Sequence, residues 1–247
     1  MTTFISLYNL FSNIPFIYPI YFFYGAAFLF LGISISVKDL KASDLKLSNS
    51  LWMLGTFGFI HGLHEWLQLL PLIQGEQMTR QEIFLIKLIL LATIILSFFF
   101  LLQFGLSLIS ALDKKQMKWI KGIPFLLVLL WAVVLWKHGP LIDLLFLWRA
   151  EVGVRYTLGL TGGLVTGYGL IAYSYEIKNI SGPVSRNFLF SGIAILFYGM
   201  LTGIIDLREL LTIFHVPVEF LRGVAIVLFS YFIIKALNIF DIETRRK

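Results

Sequence analysis

The sequence predicts an all-α, polytopic membrane protein: one domain over residues 1–247, seven transmembrane helices, N-terminus outside and C-terminus in the cytoplasm. Composition is the first ground for this. The chain is 58% hydrophobic, 16% aromatic and only 14% charged, with a mean hydropathy of +0.86. A soluble core cannot bury that much apolar surface. Second, seven apolar runs separated by short polar connections use up nearly the whole chain, so no room is left for a soluble catalytic domain and no enzyme is expected. Third, the basic residues are distributed unevenly. Lys38, Lys41, Lys46, Lys114, Lys115, Lys118, Lys121, Lys178, Arg186, Lys235, Arg245, Arg246 and Lys247 fall on the C-terminal side of the membrane, thirteen of the 20 Lys and Arg residues. Cytoplasmic loops carry the excess of Lys and Arg, which sets the orientation.

The segments follow in order. Residues 1–15 carry no charge and lack both a basic n-region and a small-residue cleavage site, so the first apolar run is expected to be retained. Helix one covers about 16–35 and helix two about 50–70, stopping at Pro71. Helix three, about 83–112, is long enough to tilt or protrude at 1.5 Å per residue. The most basic loop follows it. Helix four, about 123–136, is short. Residues 141–148 are too few to span and read as an interfacial or re-entrant piece leading to Arg149 and Glu151. Helix five, about 154–175, carries Gly159, Gly163 and Gly167 at four-residue spacing, the pattern of a closely packed helix. Helix six covers about 187–205, with Gly199 and Gly203 in the same relation, and helix seven about 219–240.

The absence of cysteine excludes disulfides, thiolate metal sites and thiol nucleophiles. The net charge of +6 sits mainly in short loops, so anionic membrane lipids, not nucleic acid, are the expected partner.

Polar residues within the apolar helices mark the candidate site. His61, His64 and Glu65 share one face of helix two, beside Trp66. Ionisable groups at membrane depth are costly and usually face protein or a cavity. In the expected orientation these residues lie in the outer half, together with Lys87 on helix three, Arg155 opening helix five, Asp206 closing helix six, and Glu219 and Arg222 one turn apart on helix seven. His61, His64, Glu65 and Lys87 are expected to touch within one polar site, with a Glu65–Lys87 pair, joined by at least one of Arg155, Glu219 and Arg222. All four histidines, His61, His64, His138 and His215, fall on this side.

Several chemistries fit such a set. Histidines from two helices could ligate haem. His61, His64, Glu65 and His215 are candidate metal ligands. Arg155 or Arg222 could hold an anionic ligand, with Trp66 or Trp148 against a hydrophobic or quinone-like ring. Alternatively, these groups satisfy one another as a polar lock between helices. A retinal protein is excluded, because Lys235 lies near the cytoplasmic end of helix seven and helix three has no internal acid. Helix seven also lacks the histidine pair of hydrolase-like seven-helix receptors.

The run Phe57-Gly58-Phe59-Ile60-His61-Gly62-Leu63-His64-Glu65-Trp66 resembles the second helix of a seven-helix membrane module. That module stands at the N-terminus of bacterial sensor histidine kinases and diguanylate cyclases. The likeness continues at Arg155–Leu160 and Phe197–Gly203, and is strongest at Val216–Arg222 and Lys235–Arg246. It implies a sensory input module of the bacterial inner membrane that detects a ligand or state in its outer half. The last helix would pass the signal to a cytoplasmic signalling domain, whether on a separate partner or in a longer chain. A small electron-transfer subunit holding haem or quinone is the alternative, and a metal-dependent membrane hydrolase the third reading.

Overall fold

The structure is a computed structural model that describes residues 14–38, 47–112, 118–137, 143–203 and 217–237. Every regular element among them is helical. The helices are α1 (Ile14–Ser36), α2 (Ser48–Leu67), the short α3 (Leu69–Gln74), α4 (Arg80–Leu112), α5 (Ile123–Trp136), α6 (Leu144–Val154), α7 (Thr161–Glu176), α8 (Gly182–Gly203) and α9 (Val218–Ala236). Four helical stretches are long and apolar enough to cross a membrane: Phe16–Ser36, Arg80–Leu112, Trp119–Trp136 and Gly182–Gly203. The glycine, histidine and charged residues of α2 and α9 lower their hydropathy, and those residues make the packing and the site described below.

Six elements close into a ring. α1 packs on α2, α2 on α4, α4 on α7, α7 on α8, α8 on α9, and α9 returns to α1. The closure places an aromatic core inside, including Tyr24, Phe28, Phe57, Phe98 and Tyr198. α5, expected as an ordinary spanning helix, stands outside the ring against α4, α6 and the turn before α7. Of its fourteen residues only Pro124 and Leu135 are buried.

Close approach of backbones explains the glycine spacing. A Cβ on Gly163 would lie 2.5 Å from Gly199 Cα, so α7 and α8 touch where neither has a side chain. The α1–α2 contact is made the same way, since a Cβ on Gly58 would meet Phe28 O at 2.8 Å and Gly32 N at 2.9 Å.

Two expectations need correction. Helix two does not end the helical path at Pro71, because α3 runs from Leu69 to Gln74 through that proline. Proline sits here in the first turn, where its missing N–H has no intrahelical acceptor to lose. Nor do the described residues of the expected interfacial piece, 143–148, stand apart from the helix that follows. From Leu144 the chain is helical through α6, a π-helical turn at Arg155–Leu160, and α7, with right-handed helical dihedrals at each junction. Asp143 caps the start, its carboxylate accepting from Phe146 N at 2.7 Å. Arg155 therefore lies inside a continuous helical run, at its π turn.

Candidate functional site

α2 carries the candidate face into the ring. At i, i+3 and i+4, His61, His64 and Glu65 point inward together and are all buried. His61 sits at the centre, its ring 4.4 Å from that of Phe28 and 5.0 Å from that of Phe98. Its hydrogen bonds cross the bundle. Nδ1 lies 2.9 Å from Ser97 Oγ on α4, and Nε2 lies 2.8 Å from Tyr198 Oη on α8 and 3.2 Å from Glu65 Oε1. Tyr24 on α1 extends the chain, donating to Tyr198 Oη at 3.2 Å.

The donors and acceptors around each ring favour one tautomer for each histidine. Ser97 donates its one hydroxyl proton to Ile94 O at 2.9 Å, so its oxygen can only accept from His61 Nδ1–H. Tyr24 donates to Tyr198, so the Tyr198 hydroxyl donates to His61 Nε2, and Glu65 Oε1 stands 3.2 Å from the same nitrogen. The same logic applies to His64. Thr93 donates to carbonyls of its own helix and accepts from His64 Nδ1–H at 2.9 Å. His64 Nε2 then accepts from Gln68 Nε2 at 3.0 Å, and Gln68 also donates to Glu65 Oε2 at 3.3 Å.

Above this layer lies a cavity of about 200 Å³ lined on its polar side by Glu65, Lys87, Glu151, Arg155, Glu219 and Arg222. Tyr21, Tyr24, Gln68 and Trp148 complete it with Val152 and Val218. Its walls come from α1, the end of α2, the start of α4, α6 with its π turn, and the start of α9. Arg155 donates through Nη2 and Nε to Glu151 Oε1, at 2.8 and 3.2 Å. That bond lies within one helix and crosses no interface. Arg222 donates through Nη2 and Nε to Leu201 O at 2.7 and 3.1 Å. Leu201 is in the last described turn of α8, so Arg222 ties α9 to α8.

The expected constellation is therefore divided into two layers. Glu65, Lys87, Arg155, Glu219 and Arg222 do meet around one cavity. His61 and His64 lie beneath it in the bonded layer, with Glu65 belonging to both. The expected direct Glu65–Lys87 contact is not made: Glu65 lies against His61 and accepts from Gln68, and Lys87 reaches the cavity from α4. Trp66 is not at the site. It follows Glu65 by one residue, hence about 100° around the helix, and its Nε1 donates to Phe22 O at 3.0 Å in a slot beside Gly25. Asp206 and His215 lie outside the described residues. Tyr24, Tyr198, Ser97 and Thr93 were missed by sequence reasoning, because tyrosine and serine are ordinary residues of membrane helices. Their signal was depth alone.

Neither histidine presents a free ring nitrogen for haem or metal, and among the described residues no three His, Asp or Glu side chains gather in metal-binding geometry. Comparison with protein-family models, curated proteins and solved structures finds no match.

Proposed function

We propose that the chain is a seven-helix sensory input module of a bacterial inner membrane, oriented N-terminus out, whose outer cavity receives a ligand and whose last helix carries the response inward. One observation carries the reading: charged side chains from four separate helical elements converge on one cavity. A molecule in that cavity that contacts these walls unequally in two packings would shift the balance between them. Arg222 supports the route onward. It lines the cavity, sits on α9 and bonds the last described turn of α8, so a ligand that engages it competes for a contact between two ring helices. The resemblance of Lys235–Arg246 to signalling-helix entry segments points the same way.

The electron-transfer alternative receives less support, because both ring nitrogens of His61 and of His64 are already bonded to protein. The test is a chimera in which Lys247 is joined to the catalytic domain of a diguanylate cyclase, assayed in cells for cyclic dinucleotide. Arg155→Ala and Glu219→Gln should each change the output at unchanged expression. Insertion of one residue at the junction should change it too, by rotating the signalling helix. Output indifferent to all three changes would remove the sensory reading.

A further inference from the structure

The ring sets two charges of opposite sign against each other across the cavity. Three acids and three bases line it, Glu65, Glu151 and Glu219 with Lys87, Arg155 and Arg222. Most of these are already engaged by protein. Arg155 donates to Glu151 at 2.8 Å, Glu65 accepts from Gln68 at 3.3 Å, and Arg222 is turned onto Leu201 O at 2.7 Å. Lys87 and Glu219 are the exceptions, since among the described residues neither makes a hydrogen bond or an ion pair. Nor do they reach each other, although both line the same space. Lys87 stands on α4, whose ring neighbours are α2 and α7, and Glu219 on α9, whose neighbours are α8 and α1. The two helices share no neighbour and face one another across the ring.

An ammonium and a carboxylate beside an apolar interior are costly to leave without partners. A singly charged ligand would answer one of them and leave the other. A ligand with one charge of each sign, held apart by a short body, answers both. The volume of about 200 Å³ sets the size, since it exceeds the roughly 150 Å³ of a cavity that takes up benzene and falls short of the usual drug-sized pocket. Trp148, Tyr21 and Tyr24 supply aromatic wall, against which methylene groups pack and whose faces attract an ammonium. We infer that the cavity binds a small zwitterion of the ω-amino acid class, its carboxylate held by Lys87 and its ammonium by Glu219. The placement of the two side chains on opposite walls favours charges at the two ends of the body over charges on adjacent carbons.

This inference rests on reading the cavity as the sensory site, and its test is independent of signalling output. The full chain, purified in nanodiscs of phosphatidylglycerol, whose headgroup carries no cation, is titrated calorimetrically with 5-aminopentanoate, pentanoate, pentylamine and norvaline. 5-Aminopentanoate should bind saturably. Pentanoate and pentylamine should each bind at least roughly tenfold more weakly, because each forgoes one charged contact. Norvaline, the isomer with adjacent charges, should also be weaker. Lys87→Gln should remove the advantage of 5-aminopentanoate over pentylamine, and Glu219→Gln its advantage over pentanoate. The comparison of ligands on the parent chain decides the matter if either variant fails to fold. The inference is overturned by no saturable heat from 5-aminopentanoate, by pentanoate or pentylamine within about twofold of it, by tighter binding of norvaline, or by a folded variant that keeps the parent's selectivity. Loss of binding in nanodiscs of phosphatidylethanolamine would assign the cavity to the headgroup of that lipid, which carries both charges, and overturn it equally. A failure in this titration leaves the chimera test standing, and a silent chimera leaves the titration standing.

Discussion

At the scale of the residue, His61 shows how a polar group is accommodated inside an apolar bundle. Each ring nitrogen has a partner on another helix, so the imidazole leaves no orphaned donor or acceptor and at the same time joins α2 to α4 and α8. Such a network is worth more than its separate bonds, because removing one member strands the others. Tyr198 is its pivot, bonded to both His61 and Tyr24. Tyr198→Phe should therefore lower stability by about 1–3 kcal/mol, read as a fall in the thermal midpoint of the detergent-solubilised protein. Adding Tyr24→Phe should cost little more, since its bond to Tyr198 is already gone. Strictly additive losses in the two-residue cycle would mean that the hydroxyls act separately and that the chain has no collective role. The sequence made the histidines legible, because two imidazoles and a carboxylate on an oily helix admit few explanations. It could not make Tyr198 legible, since nothing local separates a buried tyrosine from one at the membrane surface.

At the scale of the element, the glycines determine which helices become neighbours. The four-residue spacing in helix five and helix six foretold close packing, and the structure pairs those two through Gly163 and Gly199. The prediction is correspondingly sharp. Gly163→Ala places a methyl group 2.5 Å from a backbone atom that cannot turn aside, and should destabilise the protein by about 1–3 kcal/mol through overpacking. Gly182→Ala, where no atom lies within 4 Å of the added carbon, should be neutral within about 0.5 kcal/mol or slightly stabilising. Equal thermal midpoints for the two variants would show that the α7–α8 contact is looser than the backbone distances indicate. The helices were legible from apolar runs, but the π turn at Arg155–Leu160 was not. A π turn inserts one residue without any change in composition, so the pattern around Arg149–Val154 reads as a broken helix when it is a continuous one. Glu151 and Arg155, four residues apart, share the cavity wall where that turn begins, as any i, i+4 pair on one helix would.

At the scale of the whole molecule, polarity is segregated along the ring axis. The cavity opens where α2 ends and where α4 and α9 begin, and the charges that line it come from those ends. The opposite end holds the junctions after α1, before α5 and between α7 and α8, where Lys38, Lys121 and Lys178 stand. If successive spans cross in opposite directions, alternate junctions fall on alternate sides of the membrane. In the proposed orientation the basic junctions are cytoplasmic, as the excess of Lys and Arg there requires, and the cavity faces outward. The chain has no cysteine, so single-cysteine variants at exposed positions report sidedness without background. Glu76→Cys, in the turn after α3, should react with an impermeant maleimide on intact spheroplasts. Lys121→Cys and Lys178→Cys should react only after the membrane is opened. The reverse pattern would turn the molecule over and place the cavity in the cytoplasm, where it would sample metabolites in place of external solutes. A mixed pattern, with Lys121 and Lys178 on different sides, would show that α5, which lies outside the ring, does not cross the membrane, and would reduce the seven proposed spans to six.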